Sequence, residues 1–174
     1  MASLKQIHSP IVLIADSQGC IGEGDALVTA DPGVTVSIRT ADCLPVLLVD
    51  MHHRVVAAAH AGWRGTVSRV VPKTLERMSK DFGSQPKDML VAIGPGIGKC
   101  CYEVGEEVAR EFGLTGRGKI DLAAENARQL VAEGVSAEAI SCAGLCTFCD
   151  TRFHSWRRDR ERAGRMISYI GISA

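Results

Sequence analysis

The feature of this 174-residue sequence that most constrains its fold is a series of strand-like segments that follow one another without a helix between them. Short apolar runs alternate there with turn signals such as Asp31-Pro32-Gly33. The runs cover residues 11–15, 25–29, 34–39, 45–50 and 54–60. Because helices do not separate them, we expect a mixed sheet rather than a doubly wound parallel one.

Helical spacing appears only after residue 60. Apolar positions predict a helix over 66–82, in which Pro72 causes a kink or marks the true start. Two further helices are expected, near 104–113 and 121–133, and a polar, Arg-rich loop at 152–165. Additional strands are expected at 89–94, 138–143 and 165–172. The whole chain, 1–174, is interpreted as one metal-binding α/β domain, with mixed β-sheets flanked by helices.

Composition limits the classes of partner. The 20 basic and 20 acidic residues cancel, so the chain offers no general attraction to nucleic acid or to a membrane surface. Its longest apolar runs, such as 44–49, are too short to span a bilayer. Since the N-terminus lacks the pattern of a secretory signal, a cytoplasmic location is expected. Seven cysteines in a reducing compartment are then core residues, metal ligands or nucleophiles rather than a disulfide framework.

Three residues form a candidate metal site. Cys43 and His60 each lie at the edge of a predicted strand, where side chains face a cleft, and His8 precedes Pro10 near the start of the chain. Two histidines and one cysteine are suitable ligands for zinc, with copper as the alternative, and leave a fourth position open for chemistry. Spacing alone also allows a buried free cysteine and two unrelated histidines.

Other residues near these motifs have two interpretations each. Asp42 either orients a histidine ligand from the far side of an extended segment or forms a turn. Arg64, in a Gly-flanked turn, either binds an anion or makes a surface ion pair. The Gly-rich loop at 94–98 either presents N–H groups to an anion or simply connects a strand to a helix.

Two cysteine- and arginine-rich segments complete the candidates. Cys142, Cys146 and Cys149 have the spacing of an iron–sulfur motif, although such thiols can also line a loop. Residues 153–165 hold five arginines, with acidic residues among them, so a salt-bridged loop is favoured over a nucleic-acid patch. Trp156 in this segment either stacks on a base or anchors the core.

Taken together, several segments resemble the YfiH/YlmD-type family, long labelled multicopper polyphenol oxidase or laccase-domain proteins. The segments occur in the family order and span nearly the whole chain. They are QIHS at 6–9, GDALVT at 24–29, TADCLPVLLVD at 40–50, AAAHAGWRG at 57–65, IGPGIGKCCYEVGEEV at 93–108, DL and a following Asn at 121–126, CT at 146–147, and FHSWRRD through GR at 153–165.

The resemblance implies a YfiH-like fold of the cysteine-hydrolase type and a metal held by His8, Cys43 and His60. It also implies a purine nucleoside phosphorylase that cleaves adenosine, inosine and methylthioadenosine with phosphate, and that deaminates adenosine. Zinc or copper is the implied metal. We expect Cys43, His60 and Arg64 to be catalytic, and Arg64 to bind phosphate with Gly94, Gly96 and Gly98. The expected assembly is a monomer or homodimer.

The sequence departs from the family pattern at its start. Family members carry a longer segment before the first His motif, including Arg-Gly-Gly-Ser, whereas this sequence starts just before that motif, so we expect either a short form or a fragment. QIHS also replaces the usual Gln-x-His-Gly. We therefore expect any loss of order or of metal affinity to appear first at His8, which lies close to the terminus.

Three alternative functions stay open. A copper-dependent phenol oxidase follows the older family label, but five histidines are too few for a multicopper cluster. A cysteine hydrolase would use Cys43 as nucleophile and His60 as base. A domain without catalytic activity would bind a metal or a partner and turn over no nucleoside.

Overall fold

We describe residues 1–173 of the protein in a computed structural model, and within them lie twelve strands and five α-helices. The strands are β1 (Ala2–Lys5), β2 (Val12–Ile14), β3 (Gly19–Glu23), β4 (Ala26–Thr29), β5 (Thr35–Thr40), β6 (Leu44–Asp50), β7 (Val55–Ala61), β8 (Met89–Ile93), β9 (Glu103–Val104), β10 (Gly118–Lys119), β11 (Ile140–Cys142) and β12 (Met166–Gly171). The helices are α1 (Trp63–Val67), α2 (Val70–Phe82), α3 (Glu106–Glu111), α4 (Leu122–Ala132) and α5 (Trp156–Asp159).

The larger sheet has six strands in the order β11-β8-β6-β7-β4-β2. Its four inner strands are antiparallel to one another, whereas the edge strands β11 and β2 pair in parallel. In the central hairpin, Pro45 lies opposite His60 and Asp50 opposite Val55. The predicted mixed sheet is therefore confirmed, and its hairpin brings the residues before β6 beside the end of β7.

A second sheet covers one face of the first. Its order is β12-β5-β1-β3, with β12 antiparallel to β5 and β1 parallel to both of its neighbours. Buried side chains of both sheets meet in one cluster that includes Leu4, Leu27, Ile38 and Val56. Strands β1 and β3 were not predicted from the sequence, because they are short and contain few β-branched residues.

Helices α1, α2 and α4 pack on the opposite face of the six-stranded sheet. Val70, Leu75 and Met78 of α2 are buried against alternate residues of β7, beginning with Val55. All seven residues of β7 are buried, since the sheet lies between two layers. The small side chains of its alanine run fit this double burial, and the strand predicted at 54–60 is confirmed.

The predicted helix at 66–82 is two helices. The chain breaks at Arg69, whose φ of 62° is incompatible with a continuous right-handed helix. Pro72 then lies in the first turn of α2, where its missing N–H costs no helical hydrogen bond. Of the two alternatives stated for Pro72, a start near this residue is therefore the correct one.

The Arg-rich segment is also more ordered than the predicted loop. It contains α5, which Ser155 caps by accepting the N–H of Arg158. Within the segment, Arg158 forms an ion pair with Asp159 and donates to the carbonyl of Phe153, which agrees with the favoured salt-bridged loop. Arg158 also donates to the carbonyls of Thr147 and Phe148, which lie before the segment. Expectations of a core-anchoring Trp156 are wrong, because this side chain is 39% exposed.

The observed architecture, mixed sheets flanked by helices, confirms the predicted fold class. Across residues 1–173, helices reach neither the length nor the apolar character that a bilayer crossing requires.

Candidate functional site

The three predicted metal ligands lie together at one end of the hairpin. One donor atom each from His8, Cys43 and His60 falls within 4.8 Å of the other two. His60 is the penultimate residue of β7, Cys43 immediately precedes β6, and His8 follows β1. The structure thus brings together the three residues that spacing and resemblance predict as metal ligands.

Local backbone geometry makes room for this group. A Cβ atom on Gly62 would lie 2.7 Å from the Sγ of Cys43 and 3.4 Å from the Cδ2 of His8. Real Cβ atoms do not approach sulfur so closely, so a residue with a side chain would push the ligands apart. Gly62 therefore permits the close approach of Cys43 and His8.

Asp25 lies behind the three ligands and holds two of them. Its Oδ1 is 2.8 Å from the Nδ1 of His60 and accepts the backbone N–H of His8 at 3.0 Å. The N–H groups of Ile7 and Ser9, and the hydroxyl of Ser9, donate to its other oxygen. A carboxylate on Nδ1 leaves the Nε2 of His60 free for a metal and fixes the orientation of the ring.

Asp25 was not predicted as a site residue. It lies directly before the apolar strand β4 in the GDALVT motif and is completely buried. A buried aspartate is rare without a partner, so this motif carried a signal. Asp25 binds three consecutive N–H groups at His8 and its neighbours, and β1 is paired in a sheet, so these contacts oppose the loss of order expected at His8.

The charges of the group reinforce one another. Burial raises the pKa of the Asp25 carboxyl, but hydrogen bonds from His60 and Ser9 outweigh this effect and lower the pKa to about 2. Burial lowers the pKa of His60, yet its hydrogen bonds with Asp25 and Cys43 raise that pKa to about 9. Burial raises the pKa of Cys43, and the rings of His60 and His8 reverse this and lower it to about 7. The thiolate form that a metal requires is therefore favoured.

Asp42 does not orient a histidine, which corrects one of its two predicted roles. Its φ of 83° takes it out of an extended conformation. Its carboxylate accepts the hydroxyl of Thr147 at 2.7 Å and the N–H of Arg157 at 2.6 Å. Asp42 thus joins the segment that carries Cys43 to two later segments of the chain.

Tyr102 and Arg157 form part of the same region and were not predicted. The guanidinium of Arg157 lies 5.4 Å from the centre of the Tyr102 ring and donates to the carbonyl of Glu103. Burial and the charge of Cys43 raise the pKa of Tyr102 to about 12, although Arg157 and Arg64 act against this rise. Tyr102 lies in CCYEV and Arg157 in FHSWRRD, which are two segments of the family resemblance. The resemblance could therefore have indicated both residues.

Arg64 is an exposed residue of α1, the helix that follows the ligand His60. Its guanidinium lies 4.2 Å from the centre of the Trp63 ring, and among residues 1–173 it has no hydrogen-bonded or ion-paired acceptor. Helix α1 is held in place by α4, since Asn126 and Gln129 donate to the hydroxyl and the carbonyl of Thr66. Arg64 is therefore an exposed cation on a helix that is held in place, and it has no acceptor among residues 1–173.

The predicted anion loop makes contacts of another kind. The N–H of Gly94 donates to the carbonyl of Pro45, and that of Gly98 donates to the Sγ of Cys146. A Cβ on Gly96 would lie 2.5 Å from Leu44 Cδ2, and one on Gly94 would lie 2.7 Å from Pro45 Cγ. The glycines allow this loop to pack against the start of β6. Their phosphate-binding role stays a prediction, and the donors of Gly94 and Gly98 are already engaged.

The structure separates the three cysteines of the iron–sulfur hypothesis. Cys146 and Cys149 lie with Cys100 and Cys101, whose four sulfurs are within 4.8 Å of one another. Cys142 is an exposed residue at the end of β11 and does not belong to this group. The residue set of that hypothesis is therefore wrong.

A cleft of about 450 Å³ opens beside these cysteines. Its walls include Gly98, Cys100, Asp121, Ala124 and Cys146. His8, Cys43 and His60 do not line this cleft, so the cleft and the three converging ligands lie at different places. The candidate site lies at the three ligands rather than in this cleft, because three converging ligands are a more specific signal than an open apolar space.

A family model for multi-copper polyphenol oxidoreductase laccase matches residues 1–173. The chain belongs to this laccase family. A relative named purine nucleoside phosphorylase, from Clostridium acetobutylicum, is 43% identical, with 96% of this chain and 75% of that protein covered. Another laccase-family relative, named adenosine deaminase RL5, from an unknown prokaryotic organism, is 39% identical, with 89% of this chain and 65% of that protein covered.

The fold of the laccase family is also found among solved structures. The crystal structure of YlmD from Geobacillus stearothermophilus superposes with a TM-score of 0.92 at 30% identity. The alignment covers 97% of this chain and 72% of that one. The resemblance to the YfiH/YlmD-type family and the mixed α/β fold are thereby confirmed.

Proposed function

We propose that this protein is a metal-dependent purine nucleoside phosphorylase that also deaminates adenosine. The observation that carries the proposal is the convergence of His8, Cys43 and His60, backed by Asp25, in a chain whose relatives are named for both activities. Adenosine, inosine and methylthioadenosine are the proposed nucleosides, with phosphate as the second substrate.

The donor set fits a zinc ion, with copper as the alternative. Two imidazoles and a thiolate are ligands that zinc accepts at catalytic sites, and they leave one position for water or substrate. Asp25 holds the His60 tautomer whose Nε2 points to the group, as carboxylates do behind metal-bound histidines. When bound there, the metal supplies a Lewis acid that lowers the pKa of a water molecule.

Arg64 is proposed to bind phosphate for the phosphorolytic reaction. Phosphorolysis needs an anion held beside the ribose, and a guanidinium binds phosphate oxygens in pairs. Arg64 suits this need because it is exposed, lies over Trp63 and follows the ligand His60 by four residues. Deamination uses water in place of phosphate, so it does not need this cation.

Tyr102 is proposed to act as a hydrogen-bond donor at the edge of the site. With a pKa of about 12, its hydroxyl keeps its proton at neutral pH. Arg157 lies against the ring, and the N–H of Arg157 is fixed by Asp42, the neighbour of Cys43. The phenol is thus positioned by the same residues that position the ligand loop.

The test is to supply adenosine to the metal-loaded protein with and without phosphate and to identify products by chromatography. We expect adenine with ribose 1-phosphate when phosphate is present, and inosine without it. Cys43→Ala should abolish both reactions, and Arg64→Ala should raise the KM for phosphate about tenfold to a hundredfold while leaving deamination intact. Arg162→Ala, which removes another exposed arginine, is the matched control. Absence of any nucleoside product in the wild type would overturn the proposal.

A cysteine hydrolase is the second candidate, and a specific contact favours it. Asp25, His60 and Cys43 have the order of a triad, in which an acid orients a base that activates a thiol. His8 distinguishes the two functions, because a hydrolase that uses His60 as its base does not need a second imidazole beside the thiol. If the metal-free protein hydrolyses amides, and His8→Ala retains that activity, the hydrolase is correct.

The phenol oxidase of the family label finds less support. Among residues 1–173, each metal-ligand group contains at most two histidines, His8 and His60. A multicopper cluster needs more imidazoles than this pair offers. Copper-dependent oxygen consumption with phenols would revive this function.

A further inference from the structure

Two loops far apart in sequence bring four cysteines to one point. Cys100 and Cys101 follow the Gly-rich loop after β8, and Cys146 and Cys149 follow β11. One sulfur from each lies within 4.8 Å of the other three. This group shares no residue with the centre formed by His8, Cys43 and His60, and the proposed reaction does not use it.

The spacing of the sulfurs fits a single tetrahedral ion. With Zn–S bonds of about 2.3 Å, the edges of a regular ZnS₄ tetrahedron are roughly 3.8 Å long. The sulfurs of Cys100 and Cys149 are 3.7 Å apart, and those of Cys101 and Cys149 are 3.2 Å apart. A cluster of several irons would hold the sulfurs farther apart, because iron and sulfide must fit between them.

The loop around Cys146 also favours a bound cation. The N–H of Gly98 donates to the Cys146 sulfur at 3.2 Å, and the N–H of Asp150 closes a turn on the Cys146 carbonyl. A Cys-x-x-Cys turn with N–H groups directed at the first sulfur stabilises a thiolate ligand.

Disulfides explain the arrangement less well. A disulfide joins two sulfurs at about 2.05 Å and leaves the other pair elsewhere, whereas here one sulfur contacts two others and all four converge. A zinc tetrathiolate carries a net double negative charge, and the ammonium of Lys119 lies beside it, donating to the Cys100 carbonyl at 3.2 Å. Four converging sulfurs with a nearby cation match a structural zinc site, which is closed to substrate.

We propose that Cys100, Cys101, Cys146 and Cys149 bind one Zn²⁺ ion as a structural site separate from the metal centre. When the ion binds, four Zn–S bonds form and the thiol protons are released to solvent, with no change of oxidation state. The ion joins the loop after β8 to the loop after β11.

This site also positions residues of the proposed active site. Tyr102 directly follows Cys101, and Thr147 directly follows Cys146. Thr147 donates to Asp42, which precedes the ligand Cys43. The structural zinc therefore fixes the loops that place Tyr102 and Asp42, without contacting substrate itself.

The experiment measures zinc in the full chain, purified under reducing conditions without added chelator. The variant His8→Ala/Cys43→Ala removes two donors of the metal centre, so one tightly bound zinc per chain should remain. Adding Cys146→Ser and Cys149→Ser should remove that zinc as well. Cys142→Ser, in the same background, is the matched control because it removes an exposed thiol outside the group. A background variant that holds no zinc overturns the proposal.

A second measurement uses wild-type protein, so that a variant that fails to fold does not decide the result. Alkylation of the zinc-loaded protein, read by mass spectrometry, should modify Cys20 and Cys142 quickly and spare the four clustered thiols. Treatment with a chelator should expose those four. Equal modification of all thiols, or two disulfides in place of zinc, would overturn the site. If wild-type protein held zinc at the four cysteines but none at His8, Cys43 and His60, the result would count against the proposed function and not against this site.

Discussion

Two aspartate–histidine pairs lie at opposite ends of the β6–β7 hairpin, and only one belongs to a candidate metal centre. In each pair, a buried aspartate accepts backbone N–H groups and lies 2.8 Å from a histidine Nδ1. Asp25 pairs with His60 at the open end, and Asp50 pairs with His53 in the turn. The hydrogen bonds are alike, so they do not explain the difference in chemistry.

The difference lies in what surrounds the second nitrogen of each ring. The His60 side chain is 5% exposed, and its ring lies 4.8 Å from that of His8, with the thiol of Cys43 beside both. The His53 side chain is 33% exposed, and its ring lies 4.7 Å from that of His52, with no cysteine in a ligand group beside it among residues 1–173. A carboxylate can orient an imidazole anywhere, and a metal site requires additional donors that converge on the free nitrogen.

The strongest test of this comparison exchanges each aspartate for asparagine. Asp25→Asn should lower metal affinity or turnover about 10- to 100-fold, because an amide no longer accepts from all of its donors and no longer orients His60. Asp50→Asn should leave turnover intact and reduce the free energy of unfolding by about 1–3 kcal/mol. Chelator competition, adenosine kinetics and urea unfolding measure the three quantities. Equal loss of turnover in both variants would mean that Asp25 acts through folding alone.

A smaller effect is expected from a single methyl group near each pair. In Gly62→Ala, the new Cβ meets the Cys43 sulfur at 2.7 Å. Since a 1 Å misplacement costs roughly a hundredfold in rate, the partial shift needed here should lower turnover about tenfold.

Gly83 provides the matched control for this variant. It ends α2 at φ +76°, and a Cβ there would lie 3.5 Å from the Nε2 of His53. Gly83→Ala should cost roughly 1–2 kcal/mol of stability, because the left-handed conformation is strained for alanine. Its turnover at moderate temperature should be unchanged. If Gly62→Ala kept full turnover, the proposed tight packing of the ligands would be contradicted.

The smallest effect concerns acid stability at the turn. Burial raises the pKa of Asp50, but hydrogen bonds from the backbone of His52 and from the backbone and ring of His53 outweigh it, so the folded-state pKa is lowered. This stabilisation is complete above the unfolded-state pKa of about 3.9 and is lost as pH falls through the lower folded-state value. The wild type should therefore lose more stability than Asp50→Asn between about pH 6 and about pH 3 in urea unfolding. Equal losses would show that the carboxylate contributes nothing at this turn.

Much of the fold was predictable from local pattern. The central strands are apolar and bounded by turn residues, so their positions and the mixed sheet followed from the sequence. Strands β1 and β3 were missed because pairing makes them strands, rather than their own composition: β1 pairs with β5, and β3 pairs with β1. The start of α2 near Pro72 was one of two predicted alternatives, whereas the separate helix α1 was missed because a single left-handed arginine, Arg69, leaves no compositional trace.

The site was predictable only in part. Ligand chemistry and motif resemblance identified Cys43 and His60, but the partner of His60 lies 35 residues away in sequence. Asp25 reaches His60 because β4 pairs with β7. The register of strands that are distant in sequence cannot be predicted from local composition. The four-cysteine group was missed for the same reason, since loops 48 and 49 residues apart must fold before their sulfurs meet.

The three N–H groups bound by Asp25 also bear on how the protein is made. His8 is synthesised early, yet the carboxylate that holds it is itself positioned by β7, the strand that contains His60. During translation, the first ligand therefore waits without its partners until the hairpin has left the ribosome. The centre assembles late, through contacts between distant segments, which is a slow kind of folding step. A metal ion present at that stage would find its complete ligand set only in chains whose central sheet had already closed.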